Sequence, residues 1–428
     1  MDLYLFNEWW RTGKVRDSLK GKRRRALNDA LRFLSKRQIL LIEGLRRVGK
    51  TTLMFQIIDY LLSKGVSPFR ILYYSFDEEV GSIEEIINLY KREILKKELS
   101  KEKIYIFFDE VQKHKNWWNK IKILYDLYPN IKFFLSGSIS TLIEAKSKES
   151  LAGRVFTYIL KPLCFDEFLE FRKVKVDKER LNIYKDILSI ELENYLKTSG
   201  FIEVIYEKDE IFIKRYFKEM VFDRILFKDI PYTFNIDEPD LLWKIFLIIS
   251  KNPGMMIKYT ELGNELKRDR RTIERYIGYL ERSFLLFKLF NYSRNELTSR
   301  RKNKKIYPTQ TSFSYSVNGN DREFFGKLVE NLIVSVVQGR FFFRNVYKEE
   351  IDIIYKDDER IIPIEVKFRK KLSKSDIKTI KSFSRKFGVK KAIVVSEWDR
   401  GIIEENGVKI HIVPCVEFLL KWRDIIKL

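Results

Sequence analysis

Residues Gln38-Ile-Leu-Leu-Ile-Glu-Gly-Leu-Arg-Arg-Val-Gly-Lys-Thr51 decide the fold. The run opens with apolar residues of strand length, and Thr51 begins a stretch of helical spacing that reaches Leu62. Between them stands Gly44-Leu-Arg-Arg-Val-Gly-Lys-Thr51, a complete G-x-x-x-x-G-K-[ST] pattern. A glycine-rich turn from strand to helix lets backbone N–H groups curl round phosphate oxygens, and the helix N-terminus adds a favourable dipole. Gly44, Arg46, Arg47, Val48, Gly49, Lys50, Thr51 and Thr52 are therefore the expected nucleotide contacts. Lys50 is expected to reach the β- and γ-phosphates, and Thr51 to ligate Mg²⁺.

Outward from this loop, Arg70-Ile-Leu-Tyr-Tyr-Ser75, Ile104-Tyr-Ile-Phe-Phe108 and Ile131-Lys-Phe-Phe-Leu135 read as further buried strands, with helical stretches between them. Strands apolar on both faces that alternate with helices predict a parallel, doubly wound α/β sheet. The run from Ile104 ends in Asp109 and Glu110, at the carboxyl edge where such sheets bind ligands. Asp109 is expected to hold Mg²⁺ through water, and Glu110 to polarise the attacking water. Ser136-Gly-Ser138 closes the fourth strand, and Ser136 is a candidate sensor of the γ-phosphate or an ordinary turn residue. Asp77 either faces the site or ends a solvated turn. Arg154, in Ser150-Leu-Ala-Gly-Arg154, is a candidate for stabilising transition-state charge, in cis or across a subunit interface.

Composition narrows the chemistry. Among 428 residues there are two cysteines and two histidines, which excludes a disulfide framework and histidine-rich zinc sites. No apolar run approaches a membrane span, and no signal-peptide pattern opens the chain, so a soluble cytoplasmic protein with no membrane partner is expected. The formal charge of +23 favours a polyanionic partner, above all DNA. A thermophile surface rich in Lys and Glu is a second source of charge and coexists with the first.

Two later segments carry their own signals. Tyr259 to Lys267 and Arg270 to Ser283 read as two helices of a helix-turn-helix, with Arg270, Arg271 and Arg275 outside the apolar face. Leu285 to Phe290 and Lys305 to Tyr307 then bracket Arg300, Arg301 and Lys302, like the β-hairpin of a winged helix. From Lys258 to Lys305 there are 14 basic and 6 acidic residues, which suits a helix in a DNA groove and a wing on phosphates. Protein docking is the alternative use. Further on, Asp352 and Glu365 fall on adjacent strands, with Lys367 two residues beyond Glu365 and so on the same face. With Glu330 from a preceding helix, these acids are expected to bind Mg²⁺, and Lys367 to orient water for phosphodiester attack. A degenerate site kept for binding is the alternative.

Asn7-Glu-Trp-Trp-Arg-Thr-Gly-Lys14, Arg37-Gln38, the phosphate loop through Thr52, Phe76-Asp77, Ser136-Gly-Ser138, Leu151-Ala-Gly-Arg154 and Pro162-Leu-Cys-Phe-Asp-Glu-Phe168 together resemble the archaeal AAA-type ATPases. That family carries a C-terminal domain related to restriction endonucleases. The resemblance implies an α/β P-loop AAA-like core with a helical lid, a winged-helix domain and a restriction-endonuclease-like domain of the PD-(D/E)xK type. The corresponding boundaries are a basic helical region at 1–37, the core at 38–165, the lid at 166–240, the winged helix at 241–310 and the nuclease-like domain at 321–428. The expected function is an ATPase using ATP and Mg²⁺ that couples hydrolysis to DNA processing, with DNA and further copies of the chain as partners. The alternative is a switch ATPase in defence or stress signalling whose rear domains bind proteins.

Overall fold

The apolar runs of the N-terminal half pair side by side in the computed structural model, which describes residues 2–77, 81–138, 149, 151–301, 303–318, 322–357, 360–369, 372–405 and 407–427. The chain forms two compact units, 1–162 with 282–284, and 163–281 with 285–428. In the first, β1 (Ile39–Glu43), β2 (Ile71–Ser75), β3 (Ile104–Asp109), β4 (Ile131–Gly137) and β5 (Val155–Ile159) form a parallel sheet in the order β2-β3-β4-β1-β5. Every residue of β1, β3 and β4 is buried, as strands covered on both faces must be. Helices α1 (Lys50–Ser63), α2 (Ile83–Leu89) and α3 (Trp117–Leu127) lie between the strands in sequence.

β2 is an edge strand, and the N-terminal segment covers it. Asn7 acts as a substitute strand partner: its Nδ2 donates to the carbonyl of Tyr73 at 2.9 Å, and its Oδ1 accepts from the Tyr73 amide at 2.7 Å. The indole N–H groups of Trp9 and Trp10 both donate to the Ile71 carbonyl, at 3.2 and 2.9 Å. Free edge groups are thereby satisfied and closed to foreign strands. The segment read from sequence as a separate basic region is thus built into the first unit.

In the second unit, helices α4 (Phe165–Phe171), α5 (Lys185–Thr198) and α6 (Pro239–Lys251) precede β6 (Met255–Ile257), α7 (Tyr259–Leu266), α8 (Arg270–Arg282) and β7 (Leu286–Asn291). Then come α9 (Glu296–Arg301), β8 (Lys304–Pro308), α10 (Arg322–Val337), β9 (Phe341–Arg344), β10 (Glu350–Lys356) and β11 (Ile361–Lys367). The chain closes with α11 (Lys378–Phe387), β12 (Lys391–Ser396), β13 (Gly401–Glu405), β14 (Val408–Pro414) and α12 (Cys415–Lys427). Among the described residues no helix is long and apolar enough to cross a membrane.

Two features depart from the sequence reading. The segment expected to form a wing is not a plain hairpin, because Asn295 caps a short helix inside it, its Oδ1 accepting from the Leu297 amide at 2.9 Å. The two rear modules, expected as separate domains, also share one nine-stranded sheet in the order β13-β14-β12-β11-β10-β9-β7-β8-β6. The seam is the parallel pairing of Phe290 and Asn291 on β7 with Phe341 and Phe342 on β9. Asn291 seals it with its side chain, which donates to the Arg344 carbonyl at 2.9 Å and accepts from the Arg344 amide at 3.1 Å.

Candidate nucleotide site and acidic cluster

The loop between β1 and α1 needs its two glycines for different reasons. Gly44 has φ of +151°, and a Cβ there would lie 2.3 Å from the Leu160 carbonyl oxygen, so only glycine fits. Gly49 has φ of +90°, and turns the chain into α1. Lys50 folds back over the loop, donating to the carbonyls of Gly44 at 3.2 Å and Leu45 at 2.9 Å. Its ammonium stands 3.8 Å from Glu110 Oε1. Arg24, from the basic N-terminal segment, braces the loop by donating to the carbonyls of Val48 and Lys161, both at 2.9 Å. Arg46 is half-buried, Arg47 is exposed, and Thr52 lies in the first turn of α1.

β3 delivers its two acids beside this loop. Asp109 Oδ2 accepts from Thr51 Oγ1 at 2.5 Å and from the Tyr73 hydroxyl at 3.0 Å, while Oδ1 accepts from Ser136 Oγ. Burial, and then the neighbouring Glu110, hold the Asp109 carboxyl above the usual carboxylate range. A buried acid under that pressure, joined to a threonine hydroxyl at the head of the helix, is an oxygen donor set that fits a divalent cation. Glu110 adopts a left-handed conformation, φ 52° and ψ 44°, a strained geometry for a non-glycine residue. Its amide donates to Ser136 Oγ at 3.1 Å, and its Oε2 accepts from Ser138 Oγ at 3.0 Å and from Gln112 Nε2. The residues read from sequence as Lys50, Thr51, Asp109, Glu110 and Ser136 therefore converge. Tyr73 and Gln112 were not foreseen. Asp77 forms an ion pair with Lys113 instead of joining this network.

Arg154 is not brought to the site of its own chain. It precedes β5, whose Val155 pairs with Ile39 at the start of β1, whereas the phosphate loop follows the other end of β1. Its guanidinium is bound to Asp126 at 2.9 and 3.1 Å. Of the two roles offered for it, this placement favours the one across a subunit interface. Arg154→Ala is expected to leave ATP affinity within twofold of wild type in a calorimetric titration; a larger loss would contradict this placement.

In the second unit, α8 starts on a firm cap. Asp269 Oδ1 accepts from the amides of Arg271 at 2.8 Å and Thr272 at 3.0 Å, and hydrogen bonds led by the Thr272 hydroxyl hold its carboxyl below the ordinary value. Ile273, Tyr276, Ile277 and Leu280 are buried, while Arg270, Arg271 and Arg275 are exposed. Arg300 and Arg301 belong to α9, and Lys302 lies outside the described residues.

The expected C-terminal metal residues also meet, though with company. Glu365 Oε2 accepts from the Asp352 amide at 3.3 Å, and Asp352 Oδ2 accepts from the Val366 amide at 2.9 Å. Lys367 Nζ lies 2.5 Å from Glu365 Oε1. Lys305, read from sequence as part of the basic wing, is buried among the acids. Its ammonium stands 3.4 Å from Glu330 Oε1 and 3.7 Å from Asp352 Oδ1, and is paired with Glu350 Oε1. Tyr307 donates to Glu330 Oε1 at 2.7 Å. Burial and the nearby Asp352 push the Glu365 carboxyl up to about 8, and burial raises Glu330 as well. Burial pulls the Lys305 pKa down, yet Tyr307 and the surrounding acids hold it well above the ordinary lysine value. Among the described residues no group of three or more His, Cys, Asp or Glu side chains is arranged to hold a metal ion. As arranged, this donor set does not fit Mg²⁺, which asks for near-octahedral oxygens at about 2.1 Å.

Fold and loop together define an AAA-type P-loop ATPase domain, and residues 36–169 match the family model of an AAA domain. Residues 190–323 and 325–418 match two domains of unknown function, DUF8612 and DUF4143. The chain belongs to the family of the uncharacterized protein MJ1544 of Methanocaldococcus jannaschii, with 31% identity over 317 residues, 72% of this chain and 68% of that protein. An uncharacterized protein of Haemophilus influenzae is 26% identical over 351 residues, covering 80% of this chain and 85% of its own length. With one archaeal and one bacterial relative, the similarity is not confined to archaea. Among solved structures, the Walker-type ATPase PABY2304 of Pyrococcus abyssi aligns with a TM-score of 0.41 and 14% identity, over 71% of this chain and 97% of that one.

Proposed function

We propose that the protein is a Mg²⁺-dependent ATPase that couples ATP binding and hydrolysis to work on DNA held by the basic helix α8. The observation that carries the ATPase reading is the 2.5 Å hydrogen bond between Thr51 Oγ1 and Asp109 Oδ2, with Lys50 and Glu110 beside it. Thr51 and Asp109 would hold the ion, whose charge screens the phosphates when bound. Lys50, freed from the carbonyls of its own loop, binds the β- and γ-phosphates. Glu110, fixed by Ser138 and Gln112, takes the proton of the attacking water, and Ser136 orients it through the Glu110 amide. Assembly of several copies would give Arg154 a neighbour's nucleotide to serve.

The DNA half of the reading is supported by sign and shape. The order α6, β6, α7, α8, β7, α9, β8, with β8 antiparallel to both β6 and β7, agrees with a winged helix whose wing carries an inserted turn of helix. Three exposed arginines at the head of α8 suit phosphate and base contacts. The test is ATP turnover and salt-dependent binding with single-stranded, duplex and branched DNA. Duplex or branched DNA is expected to raise turnover, and replacing Arg270, Arg271 and Arg275 together by alanine to weaken binding by about tenfold or more and flatten its salt dependence. Turnover indifferent to every DNA would contradict the coupling and favour the switch that gates protein partners.

A further inference from the structure

The spacing Asp352-x12-Glu365-x-Lys367, with Glu330 behind it, calls for a divalent cation, but a lysine stands among the acids. We propose that Lys305 is the resident cation of this cluster: β8 delivers an ammonium that replaces the metal and keeps the acids from binding Mg²⁺. The inference is independent of the ATPase reading, since all its residues lie in the second unit.

Three observations converge on it. First, the backbone that presents Lys305 is clamped on both sides, pairing with Leu289 of β7 and Met256 of β6. Alternation along β8 then sends Lys305 and Tyr307 to one face, and both reach Glu330. Second, every acid already has a donor. Glu330 has Tyr307 and Lys305, Glu350 has Lys305 and Arg344 at 3.2 Å, Glu365 has Lys367, and Asp352 has the Val366 amide. The charge that a divalent ion would neutralise is thus already met in large part by Lys305, Lys367 and Arg344. Third, Lys305 is only 4% exposed. An ammonium buried so deeply persists when acids surround it, and the same acids would repel one another without it. A compact point charge tolerates the 3.4 and 3.7 Å separations seen here, whereas magnesium ligation does not. The strand that ends the helix-turn-helix module therefore also neutralises the acids of β10 and α10, and the cluster serves as an internal ion network in place of a cleavage site.

The test is Mn²⁺ binding to the full-length chain without nucleotide, counted by loss of the free-ion paramagnetic resonance signal. Wild type and Asp352→Asn are expected to bind the same amount, because Asp352 holds no metal. Lys305→Met is expected to gain one site at least tenfold tighter than anything wild type shows, and Lys305→Met combined with Asp352→Asn to lose it again. Stripping the main cation could prevent folding, so Lys305→Met with Glu350→Gln, which preserves the charge balance, carries the same expectation. A wild-type Mn²⁺ site that Asp352→Asn removes would overturn the proposal, and this comparison holds whichever lysine variants fold. So would a folded Lys305 variant that gains no site.

Discussion

Glu110→Gln is expected to lower ATP turnover by about 10²–10⁴ while ATP still binds. The amide keeps the size of the side chain and can still accept from Ser138 and Gln112, which hold the carboxylate at the end of β3. What it loses is the capacity to take a proton. It also gives up the charge facing Lys50 at 3.8 Å, which loosens the lysine from its resting position and favours the phosphate-bound one. Affinity should therefore be unchanged or somewhat tighter. Single-turnover phosphate release alongside equilibrium binding separates the two effects. Turnover within about threefold of wild type would remove Glu110 from the chemistry.

The second large effect is on binding. Lys50→Ala is expected to weaken ATP at least about a hundredfold, equivalent to about 2.7 kcal/mol. Lys50 is buried, and its ammonium lies close to Glu110, with which Asp109 shares the end of β3. A triphosphate entering beside two acids depends on that charge. The buried carbonyls of Gly44 and Leu45 lose the Lys50 donor in the variant, at a cost of about 1–3 kcal/mol. The variant should therefore still fold, but unfold several degrees below wild type. Unchanged affinity in a folded Lys50→Ala would refute the loop assignment.

The nucleotide site was legible because its parts sit at strand ends. An apolar run that stops at Asp109 and Glu110 announces where the sheet terminates, and β4 ends next door at Gly137, one residue past Ser136. Tyr73 was hidden because it comes from inside β2, where an aromatic residue reads as core. Which of the two roles offered for Arg154 its position favours depended on strand direction, which the sequence does not state. It immediately precedes β5, and in a parallel sheet that places it at the edge away from the phosphate loop. Lys305 was hidden twice over. In a run of basic residues it looked solvated, although its i, i+2 relation to Tyr307 hinted at an inward face. Its approach to the acids depends on β7 meeting β9 across two residue pairs far apart in sequence, and a seam that short leaves no periodic signal.

The measurement that bears most directly on the central claim is a calorimetric titration of the full-length chain with a nonhydrolysable ATP analogue, with and without Mg²⁺. One molar equivalent should bind, more tightly with the ion than without it, because Thr51 and Asp109 then share a cation in place of a proton. Absence of heat under both conditions would contradict the account.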